Sequence, residues 1–156
     1  MKDTIEIQIF LSSPKDVAPE KDEIKKIIES KNRVQREGGL KYRFTALDYR
    51  DLVYSVDGNI QTVINRRLND YDIYLGILWK RFGTKTGNHD PHTGHPYESG
   101  TEEEFFIAKR KIEEGLLLNS FFFFKEVSNI MGFDPQVLEQ LQKVWTFRTT
   151  VKALGS

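Results

Sequence analysis

Segments with strand-like and helix-like patterns alternate along this chain, and that alternation restricts its fold more than any other feature of the sequence. Residues 72–79 form a nearly continuous apolar run, and residues 5–11 alternate apolar with polar side chains before becoming fully apolar. A continuous run is typical of a strand that is buried on both faces of a parallel sheet. Two further strands are predicted at residues 42–47 and 116–124. The second contains four consecutive phenylalanines, which we expect to be buried on both faces.

A helix is predicted after each of these strands. Ser13, Pro14 and Asp16 predict the start of the first one, because serine caps helices, proline suits the first position and this spacing forms a capping box. Thr101 and Asp134 open two later helices. Apolar residues recur at helical spacing in all four segments. They are Val17, Ile24, Ile27 and Ile28, then Ile60, Val63, Ile64 and Leu68, then Phe105, Ala108 and Ile112, and finally Val137, Leu138, Leu141, Val144 and Trp145.

The resulting β-α-β-α-β-α-β-α order predicts an α/β fold, with a parallel sheet and helices on both of its faces. Ligands bind such sheets outside the carboxyl ends of the strands. Four segments reach that edge here, namely residues 12–16, 48–57, 79–100 and the chain from residue 125 onward. We expect any functional site to be built from them.

Composition narrows the classes of function. The chain has 156 residues, no cysteine, and 23 basic side chains balanced by 23 acidic ones. This length predicts one domain, and the lack of cysteine excludes disulfides, thiolate metal sites and a cysteine nucleophile. The balanced charge argues against direct nucleic-acid binding. No segment has the character of a signal peptide or a membrane span, so we expect a cytoplasmic protein that makes no membrane contact.

Three motifs together resemble one family. They are residues 9–17 (Ile-Phe-Leu-Ser-Ser-Pro-Lys-Asp-Val), residues 72–79 (Asp-Ile-Tyr-Leu-Gly-Ile-Leu-Trp) followed by Arg81 and Gly83, and residues 99–105 (Ser-Gly-Thr-Glu-Glu-Glu-Phe). In this order and spacing they resemble a TIR-like domain family of unknown function. Its members stand at the N-terminus of STAND/NACHT-class signalling ATPases or of repeat proteins. The resemblance implies a flavodoxin-like three-layer sandwich with a central parallel sheet of four or five strands.

The same resemblance implies how the chain is organised. It covers nearly all of the sequence, so we expect a single TIR-like domain over residues 1–154, fused to a STAND ATPase or a repeat sensor in the full-length protein. The last two residues, Gly155 and Ser156, are expected to be a cloning remnant. One departure from the family is the loop before Ser99, which is longer here than is usual and rich in histidine.

The family is similar to TIR domains and to nucleoside deoxyribosyltransferases, which place a glutamate just after the third strand. The transferase pattern Gly-Thr-x-x-Glu fits residues 100–104 and aligns Glu104 with the catalytic position. The resemblance therefore implies cleavage of the nicotinamide glycosidic bond of NAD, as substrate rather than cofactor, in prokaryotic defence signalling after homo-oligomerisation. Many TIR domains only assemble, so a non-catalytic interaction module is an alternative. A nucleoside or nucleotide N-glycosidase, or a deoxyribosyltransferase, is another.

Glu104 has the chemistry that such a reaction needs. Nicotinamide leaves NAD as a neutral amide, so no general acid is required, and positive charge develops on the ribose. A carboxylate beside that ring stabilises the transition state. The competing interpretation is structural, because Thr101 and Glu104 have capping-box spacing and acidic residues favour the first turn of a helix. Glu102 and Glu103 are the alternatives if the register of the alignment is off by one.

Other residues at the predicted edge are candidates for holding NAD. Ser12 is the better ligand candidate of its loop, while Ser13 and Asp16 serve either as ligands or as helix caps. Trp79 either stacks on a base or packs in the core. Arg81 is a candidate partner for the diphosphate, and Thr101 is a further candidate for binding NAD. No glycine-rich phosphate loop occurs, which excludes Rossmann and P-loop readings.

His89, His92 and His95 recur every three residues, and with Asp90 they form the only metal-like pattern in the sequence. Proline and glycine interrupt the segment, so it is not a helix that presents all three imidazoles on one face. A polar turn is the preferred interpretation, and no metal is expected.

Overall fold

The computed structural model describes residues 4–48 and 71–154. Four strands and three α-helices occupy these ranges. They are β1 (Ile5–Ser12), α1 (Ala18–Glu37), β2 (Tyr42–Asp48), β3 (Ile73–Leu78), α2 (Gly100–Glu113), β4 (Asn119–Phe124) and α3 (Pro135–Leu154). The helix predicted around Ile60 to Leu68, and all but the first residue of segment 48–57, lie outside the described residues.

The strands form one parallel sheet in the order β2-β1-β3-β4. This is the flavodoxin-like order. The connection from β1 to β2 runs across the sheet in the opposite direction to the connection from β3 to β4. Since parallel crossovers are right-handed, α1 and α2 cover opposite faces. The predicted flavodoxin-like three-layer α/β fold is confirmed, with four strands in the part of the chain described.

An aromatic cluster forms the core between the sheet and the helices α2 and α3. Phe147 of α3 lies at its centre, with ring centroids 5.4 Å from Phe105, 5.4 Å from Phe122 and 5.3 Å from Phe82. Phe10 of β1 continues the cluster beneath the sheet edge, where it meets the fully buried Tyr74 of β3. Rings at these distances add favourable geometry to a large buried apolar area. The cluster therefore fixes β3, α2 and α3 relative to one another.

Gly76 of β3 is required by this packing. A Cβ atom at this position would lie 2.4 Å from the ring of Phe122, its neighbour in register on β4. We predict that Gly76→Ala lowers the free energy of unfolding by about 1–3 kcal/mol, the usual effect of overpacking. Urea denaturation measures the loss. The effect should shrink in a Phe122→Leu background, and an equal loss in both backgrounds would contradict this explanation.

The expected double-sided burial of β4 is wrong. Phe121 and Phe123 are 44% and 53% exposed, whereas Phe122 and Phe124 pack against the core. β4 is an edge strand of the described sheet, and α2 and α3 cover one of its faces only. Alternate residues of a strand point to opposite faces, so two of the four phenylalanines face outward.

The predicted start and inner face of the first helix also need correction. Ser13 and Asp16 form no capping box, because a 3₁₀ turn at Lys15–Val17 comes first and α1 begins at Ala18 without a side-chain cap. Ile27 is 56% exposed rather than buried. At 100° per residue it lies well off the stripe that Val17 and the fully buried Lys21 define. None of the helices in the described ranges has the length and apolar content to cross a bilayer.

Candidate functional site

A cleft of about 230 Å³ opens at the carboxyl edge of the sheet, between the ends of β1 and β3 and the start of α2. Its position agrees with the edge at which parallel sheets bind ligands. Five of the candidate site residues line it together with one further cation. These six are Ser12, Ser13, Lys15, Arg81, Thr101 and Glu104.

Ser12 and Glu104 are in direct contact, although 92 positions separate them in the sequence. The Ser12 hydroxyl, at the last position of β1, donates a hydrogen bond to Oε2 of Glu104. Both side chains are more than nine-tenths buried, yet both reach the cleft. A carboxylate in such a site interacts with developing positive charge more strongly than it would in water.

The local structure of α2 explains why Glu104 reaches the cleft. Ser99 is the N-cap, and its hydroxyl oxygen accepts a hydrogen bond of 3.1 Å from the backbone N–H of Glu102. The competing interpretation of Thr101 and Glu104 as a capping box therefore does not apply, because the N-cap is Ser99. The Glu102 carboxylate accepts a hydrogen bond from the backbone N–H of Glu98. Burial raises the pKa of Glu102, and this hydrogen bond offsets only part of the increase. Glu102 thus serves the helix start.

Glu103 has a different task. It is fully buried, and its carboxylate accepts hydrogen bonds from Thr86 at 2.7 Å and from the Asn88 amide at 3.2 Å. These contacts attach the long loop to α2. Of the three consecutive glutamates, Glu104 alone lines the cleft at the sheet edge.

The histidine-rich loop is an ordered turn. The Arg110 guanidinium binds the Asp90 carboxylate at 3.2 Å and the Tyr97 hydroxyl at 3.1 Å. The pKa of Asp90 is lowered, since hydrogen bonds from the backbone N–H groups of His92 and Thr93 and the charge of Arg110 outweigh the opposing effect of burial. His89, His92 and His95 are exposed. No three His, Asp or Glu side chains in residues 4–48 and 71–154 are grouped to hold a metal ion.

Two side chains hold the segment that follows β3. The Asp16 carboxylate accepts hydrogen bonds of 3.0 Å from the backbone N–H groups of Lys80 and Arg81. The Gln140 amide oxygen of α3 accepts from the N–H groups of Phe82 and Gly83, at 2.8 and 3.0 Å. Four consecutive N–H groups are therefore occupied. These bonds fix the backbone of Arg81, whose exposed side chain lines the cleft.

We predict that Gln140→Ala loosens this segment. Two backbone N–H groups lose their acceptor, which costs about 1–3 kcal/mol where the groups stay shielded from water. Hydrogen exchange should accelerate at the Phe82 and Gly83 amides. Gln142→Ala, an exposed position two residues along α3, is the matched control and should leave both rates unchanged. Equal rates in both variants would show that Gln140 does not hold the segment.

Not every candidate residue reaches the cleft. Asp16 does not line the cleft, and it contributes only by holding the backbone of Lys80 and Arg81. The Trp79 ring lies elsewhere, with the ammonium groups of Lys80 and Lys125 at 3.9 and 4.2 Å from its centroid and its indole N–H donating to the Glu126 carbonyl. In this arrangement Trp79 is a platform for two lysines rather than part of the cleft wall.

The Ser13 hydroxyl lines the cleft and is available to bind a ligand. It is buried, and no group in the described part of the chain makes a hydrogen bond with it. A shielded hydroxyl without a partner is costly unless something binds to it. Because Ser13 caps no helix, the structural role that the sequence offered for it falls away, which leaves it as a ligand candidate.

Sequence reasoning missed two contributors to this site. Ser99 had a signal, because Ser99 and Glu102 have the capping-box spacing and precede an apolar helix. Gln140 had none, since a lone glutamine on an amphipathic helix looks like any surface residue. Only the packing of α3 against the end of β3 reveals its role.

Comparison with models of known protein families finds no match for this chain. A search of curated proteins finds no significant match either.

Proposed function

We propose that this chain is a TIR-like effector domain that cleaves the nicotinamide glycosidic bond of NAD. The observation that carries the proposal is the meeting of Ser12 with Glu104 in a cleft at the carboxyl edge of the sheet. The motif resemblance aligns that same glutamate, and not its two neighbours, with the catalytic position of related enzymes. Position in the fold and alignment of the motif thus select the same residue.

The charges of the cleft suit this reaction. Glu104 at its base is an anion that stabilises the positive ribosyl group as the neutral nicotinamide departs. Ser12 orients the carboxylate by donating a hydrogen bond to one of its oxygens, and the negative charge of the group faces the ribose. Lys15 and Arg81 are cations on the exposed side of the same cleft, where the NAD diphosphate would meet them. Attack by water then gives ADP-ribose, and attack by an adenine nitrogen gives a cyclic product.

The volumes of the cleft and of a neighbouring depression favour a substrate whose two halves bind in separate places. Ligand sites usually measure about 300–1,000 Å³, so a cleft of about 230 Å³ accepts one ring system and not a whole dinucleotide. A second depression of about 530 Å³ shares Arg81 and Gly83 with it. The nicotinamide riboside half occupies the cleft, and the rest of NAD extends past Arg81 into this depression.

A second candidate function is a homotypic interaction module without activity. The exposed Phe121 and Phe123 favour it, because β4 is an uncharged strand at the sheet edge with no proline or bulge to protect it. Association through such a surface is equally suited to an effector that acts only after oligomerisation. The proposed setting for both functions is a prokaryotic defence protein in which this domain is joined to a STAND ATPase or a repeat sensor.

A substrate panel separates these functions. The chain is clustered by fusion to an oligomeric partner and incubated with NAD, with nicotinamide riboside and with ordinary nucleosides, and the released bases are quantified. The proposal predicts nicotinamide from NAD and no release from ordinary nucleosides. Release from nucleosides with NAD intact would identify an N-glycosidase or deoxyribosyltransferase. No release from any substrate would leave the interaction module.

A further inference from the structure

Tyr74 presents a hydroxyl group that the packing of the core does not explain. The side chain is fully buried at the second residue of β3, and its ring stacks against Phe10 with a centroid distance of 6.1 Å. A phenylalanine would serve that packing equally well. Among the described residues, no group meets the Tyr74 hydroxyl at full hydrogen-bond geometry. Buried hydroxyls usually have partners, so this one requires a reason.

The strand register places this hydroxyl beneath the cleft. Ser12 of β1 lies opposite Gly76 of β3, so Tyr74, two residues before Gly76, is the diagonal neighbour of Ser12 on the same face. Gly76 has no side chain to separate the two. Burial raises the pKa of the Tyr74 phenol well above its ordinary value, the charge of Glu104 raises it further, and only the nearby Ser12 hydroxyl lowers it. Tyr74 thus remains protonated and can donate.

We infer that Tyr74 is a positioning residue, whose hydroxyl donates to Oγ of Ser12 and so holds the Ser12 proton directed at Glu104. The inference rests on the proposed function for its catalytic meaning, whereas the Ser12–Glu104 hydrogen bond and the strand register that places Tyr74 beside Ser12 do not depend on that function. Hydrogen bonds of catalytic groups are often imperfect in a ligand-free site and tighten when substrate binds. The order of donation is Tyr74 to Ser12 and Ser12 to Glu104.

This arrangement fixes one oxygen of the carboxylate. Without the phenol, the Ser12 hydroxyl rotates more freely toward the cleft, and Oε2 of Glu104 loses the hydrogen bond from Ser12. The carboxylate is then held less firmly in its orientation toward the ribose. Tyr74 never touches substrate in this account and acts only through Ser12. The remaining charged groups that line the cleft, Lys15 and Arg81, stand on its exposed side.

The first test needs no enzymatic activity. Tyrosine labelled with ¹³C at the ζ carbon gives one NMR signal for each of the six tyrosines, and Tyr74→Phe identifies the one that belongs to Tyr74. We expect this signal to shift in Ser12→Ala and in Glu104→Gln but not in Glu102→Gln, the control on the same helix turn. A signal that does not move in Ser12→Ala overturns the inference.

The second test is a double-mutant cycle on nicotinamide release. Tyr74→Phe should lower kcat about tenfold, the rate equivalent of one hydrogen bond, and leave KM nearly unchanged. In a Ser12→Ala background it should have no further effect. Equal losses in both backgrounds would refute action through Ser12 while the proposed function stands. If the parent chain releases no nicotinamide, the proposed function fails, and the NMR shifts still decide the inference.

Discussion

Glu104→Gln is expected to reduce the release of nicotinamide from NAD to near background, with a loss of about 10²–10³-fold. The substitution keeps the shape of the side chain and its ability to accept the Ser12 hydrogen bond, but it removes the charge that opposes the positive ribosyl group. Losing a single electrostatic contact to a transition state in a buried site has effects of about 10²–10³-fold. Nicotinamide is quantified at saturating NAD, and thermal unfolding of the variant should match that of the parent chain.

The matched control for this substitution is Glu102→Gln. Glu102 stands in the same helix turn and undergoes the same chemical change, yet its carboxylate faces the backbone N–H of Glu98, and it does not line the cleft. We expect at least half of the activity to remain. Full activity in Glu104→Gln, or an equal loss in both variants, would remove Glu104 from its assigned role.

Phe147→Ala should have the largest effect on stability, lowering the free energy of unfolding by about 3–5 kcal/mol. Its ring is buried and contacts Phe82 after β3, Phe105 of α2 and Phe122 of β4, so its removal leaves a cavity that no single neighbour can fill. That is a large part of the roughly 5–15 kcal/mol that stabilises a typical domain. Urea denaturation measures the change.

Trp145→Ala is the control for Phe147→Ala. Trp145 is a larger aromatic residue on the same helix, but its side chain is 45% exposed and lies outside the aromatic cluster. We expect a loss clearly smaller than that of Phe147→Ala. If the two losses were equal, the free energy would depend on helix α3 as a whole and not on the cluster between it and the sheet.

Much of the fold could be predicted, because the period of a hydrophobic pattern reports the local structure directly. The starts of β1, β2 and β3 fall within one residue of the prediction. β4 begins three residues later than expected, since Leu116 and Leu118 are exposed in the connection after α2. Which strand lies at an edge is a property of the whole sheet. A run of four phenylalanines therefore predicts the strand correctly. It does not show that Phe121 and Phe123 are exposed, and their predicted burial is wrong.

The site could be predicted in part, for a similar reason. Parallel topology brings strand ends together, and this alone joins Ser12 to the start of α2. Whether a side chain near that edge faces the cleft depends on the direction in which it leaves the backbone, and a sequence motif does not specify that direction. Trp79 follows β3 directly and lies elsewhere, whereas Tyr74, at the start of that strand, is the diagonal neighbour of Ser12 in the sheet.

The most direct test of the account is the release of nicotinamide by the chain itself. The purified chain is incubated with NAD at high concentration and again after fusion to an oligomeric partner, each time beside its Glu104→Gln variant. Nicotinamide is expected from the parent chain, more of it when the chain is clustered, and none above background from the variant. No nicotinamide from the clustered parent chain, in a protein whose fold is intact, would contradict the assignment of NAD cleavage to this cleft.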